Sequence, residues 1–254
     1  MTPFQRREAI LSMARTGESL RVDEIAERFE VSRETIRRDL SLLDGNGLLR
    51  RVHGGAQRPR AAEELPFRER MAEMAEEKQR IARAAAALFR SGDTLMIDTG
   101  STTQAFAGAL ALTEKFTVIT NSIGVALALD RGEGANKVYV IGGEYRRDAG
   151  AMLGSVAVDH IAQFRADHVV LTVGAVDATG GFMDFDVEEA MVARAMIGQA
   201  EQVTVLADHS KLGRMAMTRV SPLHEVSRLV TDQPPPDALA LALKRHGVEI
   251  VIAT

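Results

Sequence analysis

The stretch Val31-Ser-Arg-Glu-Thr-Ile-Arg-Arg-Asp-Leu40 constrains this chain most, because its spacing specifies a helix with one apolar and one cationic face. Ile36, Leu40 and Leu43 recur at i, i+4, i+7 and make a single apolar stripe. Arg33 and Arg37, four apart, occupy another face with Arg38 beside them. Ser32 is an N-cap, able to accept a backbone N–H of the next turn. Glu34 falls in the first turn, where the helix dipole favours an acid. Gly45 and Gly47, flanking Asn46, end the helix.

Upstream, Ile25, Ala26 and Phe29 form a short amphipathic helix, and Glu30-Val31-Ser32 connects it tightly to the next. Two helices joined this way are a helix-turn-helix, expected over residues 20–39. In that geometry the second helix enters the major groove. Ser32, Arg33, Thr35, Arg37 and Arg38 would then face the duplex, arginine pairing with guanine and the hydroxyls reaching several edges. Leu48 to Val52 alternates and is closed by Gly54-Gly55, so Arg50, Arg51 and His53 sit on a small β-wing, placed to grip flanking phosphates. Phe4 to Ala14 reads as a preceding helix with Phe4, Ile10, Leu11 and Ala14 inward.

The string Val31-Ser-x-x-Thr-Ile-Arg-Arg-Asp-Leu40, with Gly47-Leu-Leu-x-Arg51 and His53-Gly-Gly-Ala56, resembles the winged helix-turn-helix of the DeoR family of bacterial transcriptional regulators. The resemblance implies a repressor that binds double-stranded operator DNA as a homo-oligomer, dimer or tetramer, and answers to a phosphorylated small molecule.

Bulk charge adds nothing to that expectation. The net charge is −4 and the pI near 5.9, so any cationic footprint must be local. Between Arg33 and Arg51 five arginines face three acids, Glu34, Asp39 and Asp44. With no cysteine in 254 residues, disulfides and thiolate metal sites are excluded. The start of the chain lacks a signal-peptide apolar core and no run is long enough for a membrane span, so a cytoplasmic protein without membrane association is expected.

Three segments follow: a winged helix-turn-helix over 1–58, a linker over 59–75, and an α/β domain over 76–254. The linker is rich in charge and proline. Phe67, Met71 and Met74 at i, i+4, i+7 make part of it helical. Beyond a helix over 76–89, whose apolar face is Ile81, Ala85, Leu88 and Phe89, strands and helices alternate. Strands are expected at 94–98, 116–120, 137–141, 168–173, 203–207, 226–231 and 248–252. Helices are expected at 102–112, 123–129, 156–164, 188–200 and 238–245. That order argues a mainly parallel sheet covered on both faces.

Ligands of such sheets collect outside the carboxyl ends of the strands. There this chain carries Asp98-Thr-Gly100-Ser101-Thr102-Thr103, Asn121-Ser122, Gly142-Gly143, Gly174-Ala-Val-Asp177 and Asp208-His-Ser-Lys211. Such residues ordinarily form turns, but five such loops on one edge imply a site for phosphate and hydroxyl groups. Gly100 permits a tight turn into a helix whose first N–H groups favour an anion. Thr99-Gly-Ser-Thr102, Gly174-Ala-x-Asp177 and Ala207-Asp-x-Ser-Lys211 look like loops of ribose-5-phosphate isomerases, so a ribose-5-phosphate-isomerase-like sensor is implied. By that resemblance Gly100, Ser101, Thr102 and Thr103 hold the phosphate, Lys211 neutralises it, and Asp98, Asn121 and Asp177 bond hydroxyls. Glu189 is a rim candidate.

The enzymes follow their Asp-rich segment with a lysine in a Gly-rich loop. Here Asp177 is followed by Ala-Thr-Gly-Gly-Phe-Met, without that lysine, so no complete catalytic set is present and no enzyme is expected. No cofactor is implied. His160, His168, His209, His224 and His246 lack metal-ligand spacing, and Met191 and Met196 sit at core-like helical spacing. Glu77-Lys-x-Arg-Ile-Ala-Arg83, Phe185-Asp186, Asp208-His-Ser-Lys-x-Gly-Arg214 with Ala216-Met217, and Thr231-Asp-x-Pro-Pro-Pro236 look most like stretches of family members that respond to glycerol 3-phosphate, the effector this resemblance implies. Another sugar phosphate, or an isomerase-like enzyme with a DNA-binding head, are the alternatives.

Overall fold

The computed structural model describes residues 1–16, 20–45, 49–52, 54–57, 67–113, 115–130 and 136–254. The chain divides into two compact units, Met1–Ala62 and Glu63–Thr254.

The first unit is built on three helices, α1 (Pro3–Thr16), α2 (Val22–Arg28) and α3 (Arg33–Gly45), and a hairpin of β1 (Arg50–Val52) and β2 (Gly55–Gln57). Its core is one cluster in which Ile10, Ile25, Ile36, Leu40 and Leu49 are fully enclosed. The α3 stripe therefore faces inward as its spacing requires. Phe4 does not: it is 58% exposed, and Met13 and Arg6 are inward instead. Arg6 donates from Nε to the Asp39 carboxylate at 2.6 Å, a buried pair that ties α1 to α3.

The link from α2 to α3 closes in a Schellman arrangement. The Val31 N–H donates to Ala26 O at 3.1 Å and the Glu30 N–H to Glu27 O at 3.2 Å. Glu30 takes φ +53° there, a left-handed position that normally favours glycine. Ser32 then caps α3, accepting the Thr35 N–H at 3.1 Å. The wing is fastened to the segment before α2: Ala56 N–H donates to Leu20 O and Val22 N–H to Gly54 O. A Cβ at Gly55 would lie 2.3 Å from Leu20 O, so that seam requires glycine.

In the second unit α4 (Phe67–Ala72) and α5 (Ala75–Ala86) precede a doubly wound domain. Its elements run β3 (Thr94–Ile97), α6 (Ser101–Leu110), β4 (Thr117–Thr120), α7 (Ile123–Leu129), β5 (Lys137–Val140), β6 (Glu144–Arg146), β7 (Ala151–Leu153), α8 (Ser155–Ile161) and β8 (Ala166–Thr172). They continue β9 (Ala175–Asp177), β10 (Gly181–Asp184), α9 (Val187–Ile197), β11 (Ala200–Leu206), β12 (Thr218–Ser221), β13 (Arg228–Thr231), α10 (Asp237–Arg245) and β14 (Glu249–Ile252). Seven strands form one parallel sheet in the order β14-β13-β11-β8-β3-β4-β5.

Alternation along the strands fills two cores. Leu95, Ile97, Val118, Val170, Leu206 and Val230 point to α5, α6 and α7. Met96, Ile119, Val169, Leu171, Val205 and Leu229 point to α8, α9 and α10. Strand order reverses between β3 and β8, so the crevice of the sheet opens at their carboxyl ends.

Five strands escape the sequence reading. β9, β10 and β12 form a small antiparallel sheet, and β6 pairs with β7. Each has only three or four residues, and β9 and β10 are buried throughout, so no alternation marks them. The expected helical face Phe67, Met71, Met74 is cut short: α4 ends at Ala72 and Met74 turns left-handed, φ +51°. Met191 is 44% exposed and only Met196 of the pair reaches the core.

Candidate DNA-binding and effector sites

On α3, the core stripe leaves Arg33, Arg37 and Arg38 on exposed surface. Each is partnered by an acid: Arg33 with Asp23 at 2.8 Å, Arg38 with Glu34 at 3.4 Å, Arg37 with Glu34 at 3.8 Å. Exposed pairs of this kind are worth at most about 1 kcal/mol, so a phosphate or guanine edge can displace them. Asp39, counted among the acids of the stretch, is buried against Arg6 and leaves that surface more cationic than the sequence count. Ser32 and Thr35 share a hydroxyl contact of 2.9 Å at the tip of the helix. Arg50 and Arg51 lie on β1, paired with Gln57 and Ala56. The position of His53 lies outside the described residues.

In the second unit the crevice gathers most of the strand-end residues. Asp98 follows β3 and Asn121 follows β4; both are buried, with Asn121 at 0% exposure. Burial pushes the Asp98 carboxyl up to about 7. The Asp184 charge adds to the rise, while the Thr99 N–H and nearby Asn121 oppose it. Asn121 lies near that carboxyl, yet neither atom of its amide has a partner of proper geometry among the described residues. A fully buried amide left so is costly, and a ligand carrying both a donor and an acceptor would relieve it.

Gly100 turns the chain into α6 at φ +147°, and a Cβ there would lie 2.1 Å from Cγ2 of Thr172 at the end of β8. That close approach sets the first turn of α6, with Ser101, Thr102 and Thr103 all buried, at the crevice. The Thr103 hydroxyl is turned back on Gly100 O at 3.1 Å. On the far side Asp208 caps a single 3-10 turn, accepting the Ser210 N–H at 3.0 Å, and Lys211 closes that turn.

Other expected residues have structural employment. Ser122 caps α7 and accepts the Val125 N–H at 3.3 Å. One oxygen of Asp177 accepts both the N–H and the hydroxyl of Thr179 and the N–H of Gly180, holding the β9–β10 turn. Gly174 lets the Phe185 ring pack where a Cβ would clash at 2.6 Å. Gly142 is exposed, its N–H donating to His160 Nδ1 on α8, and Gly143 admits Leu153 O of β7 and Ala157 of α8 against the backbone, so the pair packs the chain against β7 and α8. Glu189 is half-buried in the first turn of α9, its N–H bound to Asp186.

Several participants were given no role from the sequence. Asp184, at the end of β10, acts electrostatically on Asp98. Arg146 reaches Asp148 at 2.9 Å, Asp186 at 3.4 Å and Glu188 at 2.8 Å, pinning the β6–β7 hairpin to the start of α9. The Arg146 bond holds Asp148 down at about 2. The hairpin in turn covers the crevice, since Ala149 O accepts the Thr99 hydroxyl and Met152 N–H donates to Asn121 O. His209 donates its backbone N–H to Asp232 Oδ1 and shares a 2.7 Å contact from Nδ1 to Oδ2. Only contacts between loops far apart in sequence reveal these roles.

Comparison with known proteins agrees with both units. The DeoR-like helix-turn-helix domain matches residues 6–61 and the DeoR C terminal sensor domain residues 73–233. The chain is 36% identical over 250 residues to the glycerol-3-phosphate regulon repressor of Escherichia coli, covering 98% of this chain and 99% of the relative. It is 34% identical to the HTH-type transcriptional repressor CsqR of Escherichia coli, over 99% of this chain and 96% of that one. It is also 34% identical to the HTH-type transcriptional repressor GlcR of Bacillus subtilis, over 98% and 95%. Among solved structures, ribose 5-phosphate isomerase A of Methanocaldococcus jannaschii shares 18% identity over 55% of each chain, with a TM-score of 0.40. The chain belongs to the DeoR family of DNA-binding transcriptional regulators.

Proposed function

We propose that this chain represses a carbon-utilisation operon and releases its operator when a phosphorylated metabolite, glycerol 3-phosphate, fills the sheet-edge crevice. The observation that carries the effector reading is Asn121, fully buried beside Asp98 and the hydroxyl-rich start of α6, with neither atom of its amide in a hydrogen bond of proper geometry among the described residues. The helix terminus favours the phosphate, Lys211 supplies charge, and Asp98 with Asn121 meets the hydroxyls. Glycerol 3-phosphate is preferred because its name stands in that of the Escherichia coli relative. Ser32, Arg33, Thr35, Arg37 and Arg38 contact the operator, with the wing arginines on flanking phosphates. A homo-oligomer presents paired reading heads. To reverse operator occupancy from 99:1 to 1:99 the effector must prefer the released state by about 5.5 kcal/mol, within reach of several charge-assisted bonds to one phosphate.

A second reading, an isomerase-like enzyme, takes Asp98 as general base, a carboxyl enclosed at the sheet edge and pushed up to about 7 by burial. Against catalysis stands the loop after Asp177, which carries no lysine to act as electrophile. Turnover of ribose 5-phosphate that disappears in Asp98→Asn would favour the enzyme. The sensor reading is tested by a thermal-shift panel of phosphate esters. An effector at 100 times its dissociation constant stabilises the protein by about 2.7 kcal/mol, and that shift should vanish in Lys211→Ala. Silence across the panel would remove the phosphate assignment.

A further inference from the structure

Lys78, on α5, is 5% exposed, and its ammonium group is spent on the backbone of the preceding helix. Nζ donates to Arg70 O at 2.5 Å and to Glu73 O at 2.6 Å, closing the carboxyl end of α4. The same side chain feels the charges of Asp208 and Lys211 in the strand-end loop and lines one groove of 640 Å³ with Ser101 and Gln104 of α6. It thus stands between α4 and the crevice.

We propose that Lys78 is the coupling residue of this sensor: an anion arriving at the start of α6 draws the ammonium group away from the α4 carbonyls and so unfastens α4. The proposal rests on the effector reading above. Three physical points support it. A lysine has three N–H donors and no acceptor, so two carbonyls hold most of its capacity. Those carbonyls are neutral, so the bonds to them are charge-assisted from the ammonium side alone, whereas a phosphate oxygen brings the opposite charge as well. Burial pushes the Lys78 amine down while Asp208 pulls it up. A cation kept where its charge is costly gains most from an incoming negative charge.

The consequence falls on α4. At six residues it is far too short to stand alone, and the chain leaves it through the left-handed Met74. It is also the first described element of the second unit. Loss of the Lys78 bonds therefore alters the first described element that follows the DNA-binding segment in sequence, while the phosphate stays held by α6 and Lys211.

Hydrogen–deuterium exchange on the full-length wild-type protein tests this, with glycerol 3-phosphate and inorganic phosphate as probes and direct binding measured alongside. Saturation should speed exchange of the amides over residues 69–75 about tenfold, while the sheet is slowed or unchanged. In Lys78→Gln that segment should exchange fast without ligand and ignore it. The variant should bind glycerol 3-phosphate more weakly but measurably, and at saturating ligand it should not release operator in response. Binding by the wild type with no faster exchange in 69–75 overturns the coupling role alone. So does a Lys78→Gln variant that releases operator as the wild type does. Failure of both probes to bind overturns the coupling role and the effector reading together.

Discussion

Replacing Asp98 by asparagine separates the energetic cost of the crevice from its use. The carboxyl has an ordinary value of 3.8 and is raised to about 7 in the fold, chiefly by burial. Between those values the folded chain holds a proton that the unfolded chain has released, so stability falls as pH rises through that window and is level above it. At about 1.4 kcal/mol per unit, burying this carboxyl costs the folded state about 2 kcal/mol at pH 5, where it must take up a proton, and about 4 kcal/mol at pH 8, where it is ionised. Asparagine keeps an oxygen for the Thr99 N–H, which Asp98 accepts at 2.7 Å, and carries no charge. Asp98→Asn should therefore stabilise the sensor unit by those amounts, close to nothing near pH 4, and raise its melting temperature at pH 8 by roughly 10 °C. The assay is urea denaturation followed by tyrosine fluorescence. The chain has no tryptophan, and its two tyrosines, Tyr139 and Tyr145, both belong to the second unit, so the signal is local to it. Equal stability gains at pH 5 and pH 8, or a less stable variant at pH 8, would refute the buried-carboxyl argument. A stabilised variant that no longer answers to glycerol 3-phosphate would identify Asp98 as a group kept for binding at the expense of stability.

Arg37→Ala should lower specific operator affinity by 1–3 kcal/mol while leaving folding almost unchanged, because the Glu34 pair it loses is exposed. Arg51→Ala should weaken all duplexes alike and reduce the salt slope by about 1; fluorescence anisotropy across a salt series distinguishes the two, and the docking fails if neither matters. Glu30→Gly should stabilise the first unit by about 1 kcal/mol by removing a side chain from the left-handed position, read by thermal melting in far-ultraviolet circular dichroism. A destabilised variant would show that the Glu30 side chain has another role.

Local pattern carried much of this protein. The α3 stripe, the Ser32 cap and the alternation of strands with helices each depend on residues within a few positions of one another, and Ile36, Leu40 and Leu43 are all buried as their spacing demands. The same holds for α7, expected and found at 123–129. Phe4 failed because an amphipathic pattern at the end of a helix does not say how far the core extends beneath it.

The sequence by itself determined the two kinds of unit, the register of helix to core, and the family. Tertiary structure decided which polar residues are available and what they do. It buried Asp39 against Arg6, spent Asp177 on its own turn, and packed Gly143 against β7 and α8. It also set Asp184 near Asp98, Arg146 on α9, and Lys78 within the fields of Asp208 and Lys211. These residues lie on different elements, often tens of positions apart, and pairing between loops leaves no period in the chain. Burial and partner decide whether a carboxylate is ionised or an amide is satisfied, and neither is set until the sheet closes.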